Sequence, residues 1–231
     1  MGSPKPPGRH RATGSGTSRL PKSKVWPSKA SGIVDAGIAA VEVWGAKKAL
    51  DAAQKMKGDE SAVIAVADEW RRAADSLTST EQYLSKSWND LTADWQGGAY
   101  EAFRWHMTRN ATVASTNAEA LAAAGEALLD LSLQVANAYN MAVDLTTLAA
   151  GRIEPALGGI RFMSNKKTDK PTITNALLDY VEAINKVDTS LRMAIDSQKV
   201  GLAKFASALV KLNTPGTFPA NATNPKRWTP R

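Results

Sequence analysis

The sequence predicts an all-α protein, an elongated antiparallel helical bundle with a disordered segment at each end. Between residues 31 and 212, Ala and Leu are the most frequent residues, and apolar residues recur at steps of three and four. No stretch alternates β-branched and polar residues as a half-buried strand does. Helices of this kind joined by short connections usually pack as an antiparallel bundle. With 43% hydrophobic residues in 231, the chain can bury a substantial core.

Residues 1–30 are predicted to form a disordered basic tail. The segment is rich in Gly, Ser and Pro and has few apolar side chains, so burial cannot offset the entropy of ordering it. It contains no acidic residue, and its seven cations are Lys5, Arg9, Arg11, Arg19, Lys22, Lys24 and Lys29. All 22 acidic residues and 19 of the 29 Lys and Arg lie between 31 and 212. The segment 31–212 therefore has a net charge of −3, although the net charge of the whole protein is +7. Residues 213–231 are predicted to be a second disordered tail.

The first two predicted helices are separated at Gly58 and Asp59, a C-cap and an N-cap candidate. The first runs over about 31–56, and its apolar residues include Ile33, Val34, Ile38, Val41 and Trp44. The second runs over about 59–93 with a coiled-coil-like stripe of Val63, Val66, Trp70, Ala73, Leu77, Leu84, Trp88 and Leu91. Thr78 and Glu81 fit a capping box and allow a break, but the stripe stays in phase across them and favours one helix.

The third predicted helix covers about 99–149 and would span roughly 75 Å. A cap at Thr116 and Glu119 leaves open a kink between residues 110 and 117. Residues 151–170, with Pro155 and Gly158-Gly159, are predicted to be a loop. The fourth helix is predicted over 171–212, with Pro171 at its start, where a missing N–H costs nothing.

The turn between the second and third helices is the segment that indicates function. It contains Trp95, Gly97, Gly98, Ala99, Ala102 and Phe103. The glycines allow the chain to reverse, the alanines allow close approach of the helices, and Trp95 can cover the open end of the hairpin. A Trp-x-Gly turn between two amphipathic helices resembles the W-x-G helical-hairpin family, the early-secretory-antigen-like substrates of bacterial type VII (ESX) secretion. The resemblance covers 59–150, and an ordinary hairpin closed by a buried Trp is the alternative.

The resemblance implies a non-enzymatic export substrate that acts as a helical interaction protein. Such a protein is cytoplasmic before export and afterwards secreted or associated with the cell surface. Its implied partners are the type VII machinery and a second W-x-G chain, as a homodimer or heterodimer, with Trp88 and Trp105 as candidate partner contacts. The Tyr-x-x-x-Asp or Tyr-x-x-x-Glu export signal of the family is missing: four residues after Tyr83, Tyr100, Tyr139 and Tyr180 stand Ser87, Arg104, Val143 and Ile184. A partner chain could carry it, and the helices before 59 and after 171 resemble longer, PPE-type relatives.

The unequal lengths of the second and third helices predict an uncovered apolar strip. About 15 residues of the third helix extend past its partner, and they include Leu133, Val135, Met141, Leu145 and Leu148. The first or fourth helix of the same chain, or a partner hairpin, could cover them. Cover from the same chain is favoured because both helices have apolar stripes of their own.

Other chemistry finds little support in the residues. There is no cysteine, only His10 and His106 are present, and no Gly-rich phosphate loop occurs, so neither an enzyme nor a cofactor or metal is predicted. No run of about 18 uncharged apolar residues predicts a transmembrane helix. The alternative function is a cytoplasmic helical bundle whose basic arm binds nucleic acid or another acidic surface through salt-sensitive contacts. A structural assembly module, such as a phage or spore part, is a third reading.

Overall fold

A computed structural model of the protein describes residues 22–91, 95–158, 168–212 and 229–230. The helices in this part are α1 (Ser28–Ala40), α2 (Ala46–Lys55), α3 (Glu60–Leu91), α4 (Gly98–Ala156) and α5 (Lys170–Leu212). Two short segments, β1 (Trp95–Gln96) and β2 (Thr229–Pro230), pair with each other. The prediction of an all-α protein is confirmed.

Helix α4 is the element on which the other helices pack. Its 59 residues extend about 88 Å. Helix α3 runs antiparallel along its first half, and the two backbones approach closely at Gly125, where a Cβ atom would lie 3.2 Å from the Ala67 carbonyl oxygen. Helix α5 runs antiparallel along its second half, where the Thr146 and Tyr180 hydroxyls are 3.1 Å apart. Helix α3 is unbroken at Thr80, and α4 is unbroken at 110–117.

The large buried side chains lie at the second half of α4. Helices α1, α2 and α5 surround that half. The fully buried residues of the core that these four helices share include Val34, Leu50, Tyr139, Ile153, Ile173, Leu177 and Ile184. The packing between α3 and the first half of α4 buries mostly small residues, such as Ala67, Ala74, Ala111, Ala118 and Ala124. Helices of the same chain therefore cover one face of the part of α4 that extends past α3, although Met141 and Leu148 remain exposed on another face.

The prediction of one helix over 31–56 is wrong. Helix α1 ends at Ala40, Val41 is extended with φ −142°, and α2 begins after Gly45, whose φ is +84°. Glycine tolerates this left-handed conformation, so the chain can turn there and pack two short helices on the end of the bundle. Trp44 lies in the turn and is 92% exposed, so it does not belong to an apolar helix face.

The prediction of a loop from 151 is wrong for residues 151–156. Helix α4 continues to Ala156 with Pro155 in its last turn, where the lost N–H affects only one bond. Ile153 is fully buried against α1 and α5 and holds this turn in the core. The helix ends where Gly158 adopts φ +83°.

The prediction that residues 1–30 are disordered is wrong for 22–30. Residues 22–27 have no regular secondary structure and lie against the helical body, and α1 already begins at Ser28. Burial of Trp26 next to Tyr139 helps to hold them there. In the other predicted tail, Thr229 and Pro230 pair with the turn before α4. The rest of both predicted tails, 1–21, 213–228 and 231, lies outside the described residues.

Two aspartates cap helices. Asp59 accepts a hydrogen bond from the Ala62 N–H at 3.1 Å, and Asp169 accepts one from the Thr172 N–H at 3.2 Å. Hydrogen bonds from Ser61 and Thr172 lower the pKa of Asp59 and Asp169, respectively. Helix α5 accordingly begins at Lys170, one residue before the predicted start at Pro171. Gly58 is not a left-handed cap but a point of close contact, because a Cβ atom there would lie 2.8 Å from Val135 Cγ1.

Candidate interaction site

The turn between α3 and α4 is organised around Trp95. Its ring packs edge-on against Tyr100 at 5.9 Å between centroids and at a tilt against Phe103 at 5.4 Å. Both partners belong to the first turns of α4, and the Tyr100 side chain is almost fully buried. The contacts fix the indole over the start of the helix. Trp95 as a whole is half-buried, so these contacts do not bury the residue completely.

The two glycines of the turn have different roles. Gly97 has φ +99° and ψ −179°, a conformation essentially restricted to glycine, and its carbonyl accepts the Glu101 N–H at 3.1 Å. Gly98 has no positive φ, and a Cβ atom added to it would meet none of the described residues within 4 Å. The turn therefore requires the glycine of Trp-x-Gly but has room for a side chain at the next position.

The alanines after the turn also differ from one another. Ala99 is buried in the packing of the turn, as close approach of the helices requires. Ala102 and Phe103 are half-buried, and Phe103 contacts Trp95. Residues Trp95, Ala99 and Phe103 are thus brought together, with Ala102 beside them at the start of α4.

The exposed aromatic near the turn is Trp105. Its side chain is 52% exposed, and the Arg109 guanidinium lies over the ring, 5.4 Å from its centroid. Trp88 is half-buried on α3, seven residues before Trp95. An aromatic ring covered by a cation is well suited to a protein interface, where Trp and Arg are enriched.

The backbone of the turn is paired with the far end of the chain. Trp95 faces Pro230 and Gln96 faces Thr229 in an antiparallel arrangement. Main-chain groups at a turn need hydrogen-bond partners, and a short strand supplies them. The segment 229–230 is thereby placed beside the Trp-x-Gly motif.

Of the predicted basic residues, the structure describes three. Lys24 binds Asp144, with Nζ 2.5 Å from Oδ1 and 2.7 Å from Oδ2. Lys22 and Lys29 are exposed. Lys5, Arg9, Arg11 and Arg19 lie outside the described residues.

Among the residues that the structure describes, no group of three or more His, Asp or Glu side chains is placed to hold a metal ion. None of the described helices combines the length and apolar character needed to cross a membrane. What the turn offers chemically is aromatic surface, a cation over a ring and backbone hydrogen bonding.

Sequence reasoning missed two sets of residues. Tyr100 was not assigned a role, although its position five residues after Trp95 places it on the first turn of α4 beneath the indole. Tyr139, Asn140 and Asp144 were assigned none either, and they hold the segment 22–26. No local pattern predicts this second contact, because its partners are more than 110 residues apart in the chain.

No family model, no curated protein and no solved structure matches this chain. The residues and geometry of the chain itself therefore carry the functional argument.

Proposed function

We propose that the protein is a non-enzymatic substrate of type VII (ESX) secretion, a W-x-G-type helical hairpin that acts as an interaction protein after export. In this proposal 59–150 is the family-like hairpin, and residues 1–21 and 213–228 are disordered. The protein is cytoplasmic before export and secreted or surface-associated afterwards. The export machinery reads the turn at Trp95.

The observation that carries the proposal is the construction of the turn. Gly97 adopts a conformation that requires glycine, and Trp95 packs on Tyr100 and Phe103 while the residue is only half-buried. A tryptophan needed only for packing could be buried completely, whereas one that is fixed and partly accessible can also be recognised.

An export assay tests the proposal. The protein is expressed in a host with and without a functional type VII ATPase, and culture filtrate, cell surface and cytosol are compared. We expect the protein to stay in the cytosol when the ATPase is inactive. Equal amounts in the filtrate of both strains would contradict the proposal.

Variants of Trp95 separate recognition from folding. We expect Trp95→Ala to reduce export at least tenfold. Trp95→Phe retains a ring that packs on Tyr100 and Phe103, so it should keep the thermal stability of the protein. Its export then shows whether the machinery recognises the indole itself. Trp44→Ala is the matched control, because Trp44 is almost fully exposed in a different turn. Normal export of both Trp95 variants would contradict a role of this residue in recognition.

The partner surface proposed for the hairpin includes Trp88 and Trp105. Large apolar side chains on this hairpin, such as Val66 and Leu91, are more than one third exposed, because its packing buries mainly alanine. A second W-x-G chain would cover them. Sedimentation velocity distinguishes a homodimer from a monomer that needs a different chain, and Trp105→Ala should weaken either complex.

The basic segment supports a second candidate, binding of nucleic acid or another acidic surface. Seven cations without an acidic residue in 1–30 favour it, although Lys24 is already paired with Asp144. Filter binding to duplex DNA at low salt, with the unmodified chain and with Lys5, Arg9, Arg11 and Arg19 all changed to Ser, tests it. Unchanged affinity in the variant would exclude this use of the segment.

A further inference from the structure

The segment 22–26, here called the strap, lies across α4 and is held there by side chains of that helix. Asn140 of α4 bonds the strap backbone on both sides of Ser23: its Oδ1 accepts the Lys24 N–H at 2.8 Å, and its Nδ2 donates to the Lys22 carbonyl at 3.3 Å. A side-chain amide that bonds one N–H and one C=O of the same segment replaces a neighbouring strand. Such a pair of bonds fixes the position of the strap backbone along α4.

Two neighbours of Asn140 select side chains of the strap. Asp144, one helical turn further along α4, binds the Lys24 ammonium with both carboxylate oxygens. Tyr139 packs against the Trp26 ring with 6.3 Å between centroids. Burial of Tyr139 raises the pKa of its hydroxyl group, in keeping with a ring held in the core. We call Tyr139, Asn140 and Asp144 the ledge.

The strap is an imperfect ligand of the ledge. The Trp26 Nε1–H is buried and meets no acceptor among the described residues. A buried donor without a partner costs free energy, so an aromatic residue without that donor fits the same place at lower cost. The Lys24–Asp144 pair is also largely exposed, which makes it easy to exchange for another lysine.

We propose that the ledge is a recognition site for an extended segment with a lysine and, two residues later, an aromatic residue. In this structure the chain's own strap fills it. The backbone bonds to Asn140 accept any extended sequence, Asp144 supplies specificity for the lysine, and Tyr139 supplies specificity for the ring. When the strap leaves, a Lys-x-aromatic segment of a partner protein binds in its place. This inference does not depend on the route by which the protein is exported.

The strap on the ledge also contacts α3. Ser23 donates a hydrogen bond to Glu60 at the start of α3, so the strap crosses from α4 to the beginning of the hairpin. Exchange of the strap for a partner segment therefore also breaks this contact with α3.

A peptide-binding assay with the full-length chain tests the proposal. The variant Lys24→Glu with Trp26→Ala weakens the strap in place, because a carboxylate beside Asp144 is repelled and the ring is absent. The probe is a fluorescein-labelled peptide with the sequence Pro21–Ser28, and a second peptide carries Phe in place of Trp. We expect saturable binding to the variant, at least tenfold weaker binding to the unmodified chain because the tethered strap competes, and equal or tighter binding of the Phe peptide.

Matched controls make the result specific. A peptide of the same composition and charge, with Lys and Trp no longer two residues apart, should bind at least tenfold more weakly. Adding Asn140→Ala to the variant should abolish binding, whereas Asn137→Ala, an exposed position on the same helix, should not. Equal binding of the rearranged peptide, or absence of binding by a variant that melts like the unmodified chain, would overturn the proposal.

Amide hydrogen exchange tests the ledge without disabling the strap. In the unmodified chain, the Lys24 amide should exchange at least tenfold more slowly than in the free peptide, because its acceptor is Asn140. Asn140→Ala should remove this protection, and Asn137→Ala should retain it. Exchange at the free-peptide rate in the unmodified chain would overturn the inference even if the strap variant failed to fold.

Discussion

At the scale of single residues, the turn before α4 depends on one glycine and not on two. Gly97 combines φ +99° with an extended ψ, which a side chain would strain, whereas Gly98 has an ordinary backbone and open space at its Cβ position. Two adjacent glycines that look alike in the sequence therefore have different consequences when they are changed.

We expect Gly97→Ala to lower the free energy of unfolding by about 1–3 kcal/mol, because alanine cannot adopt this conformation without strain. Gly98→Ala should leave it unchanged or raise it by about 0.4–1 kcal/mol, since the substitution restricts the unfolded chain. Chemical denaturation of both variants measures the difference. Equal effects of the two would show that the turn does not hold Gly97 as described.

The buried pair Thr146 and Tyr180 is the polar contact inside the core between α4 and α5. The two hydroxyls are 3.1 Å apart, and Thr146 donates its hydrogen to the Ala142 carbonyl at 2.8 Å, so its oxygen accepts the hydrogen of the Tyr180 hydroxyl. Burial raises the pKa of Tyr180. The folded state therefore favours the protonated tyrosine.

This pKa shift predicts a loss of stability at alkaline pH. Below the ordinary tyrosine pKa of about 10, Tyr180 is protonated whether the chain is folded or not. Above it the unfolded chain loses the proton first, so unfolding becomes more favourable as pH rises toward the raised pKa. We expect the Tm of the unmodified chain to fall more steeply above pH 10 than that of Tyr180→Phe. Parallel curves would contradict a raised pKa at this position.

At the scale of elements, α1 depends on a close approach to α4 and α5. A Cβ atom at Gly37 would lie 2.8 Å from Ile153 Cγ2 and 3.4 Å from Ile173 Cγ2, and both isoleucines are fully buried. Gly32 lies in the same helix, is exposed and has nothing within 4 Å of its Cβ position. The two glycines thus separate helix propensity from packing.

We expect Gly37→Ala to destabilise the protein by about 1–3 kcal/mol, because the isoleucines cannot move without disturbing the core. Gly32→Ala should stabilise it by up to about 1 kcal/mol through helix propensity alone. Thermal unfolding followed by circular dichroism measures both. A stabilising Gly37→Ala would mean that α1 does not pack as closely as described.

At the scale of the whole molecule, large buried side chains lie at one end of α4. The second half of this helix shares a core with α1, α2 and α5, whereas its first half packs on α3 mainly through alanine. Less apolar surface is buried per residue in the hairpin than in the core. Local opening should therefore require less free energy in the hairpin.

We expect backbone amides of α4 between Ala138 and Ile153 to exchange at least tenfold more slowly than those between Phe103 and Ala114. Exchange of α3 should resemble that of the faster segment. Hydrogen exchange with peptide-level mass spectrometry measures these rates. The part of α5 after Val187 should also exchange quickly, because it has no buried residue among those described. Uniform protection along α4 would contradict the unequal core.

The sequence by itself determined the helical class, the positions of α3 and most of α4 and α5, and the turn at Trp95. These follow from local physics: apolar spacing of three and four, the cap at Asp59 and the pair of glycines at the turn. Only the tertiary structure decided that the chain breaks at Gly45, that Ile153 holds α4 in the core past residue 150, and that Trp26 and Lys24 lie on α4. The physical reason is that each of these features is stabilised by contacts between residues far apart in the chain, which neither composition nor periodicity specifies.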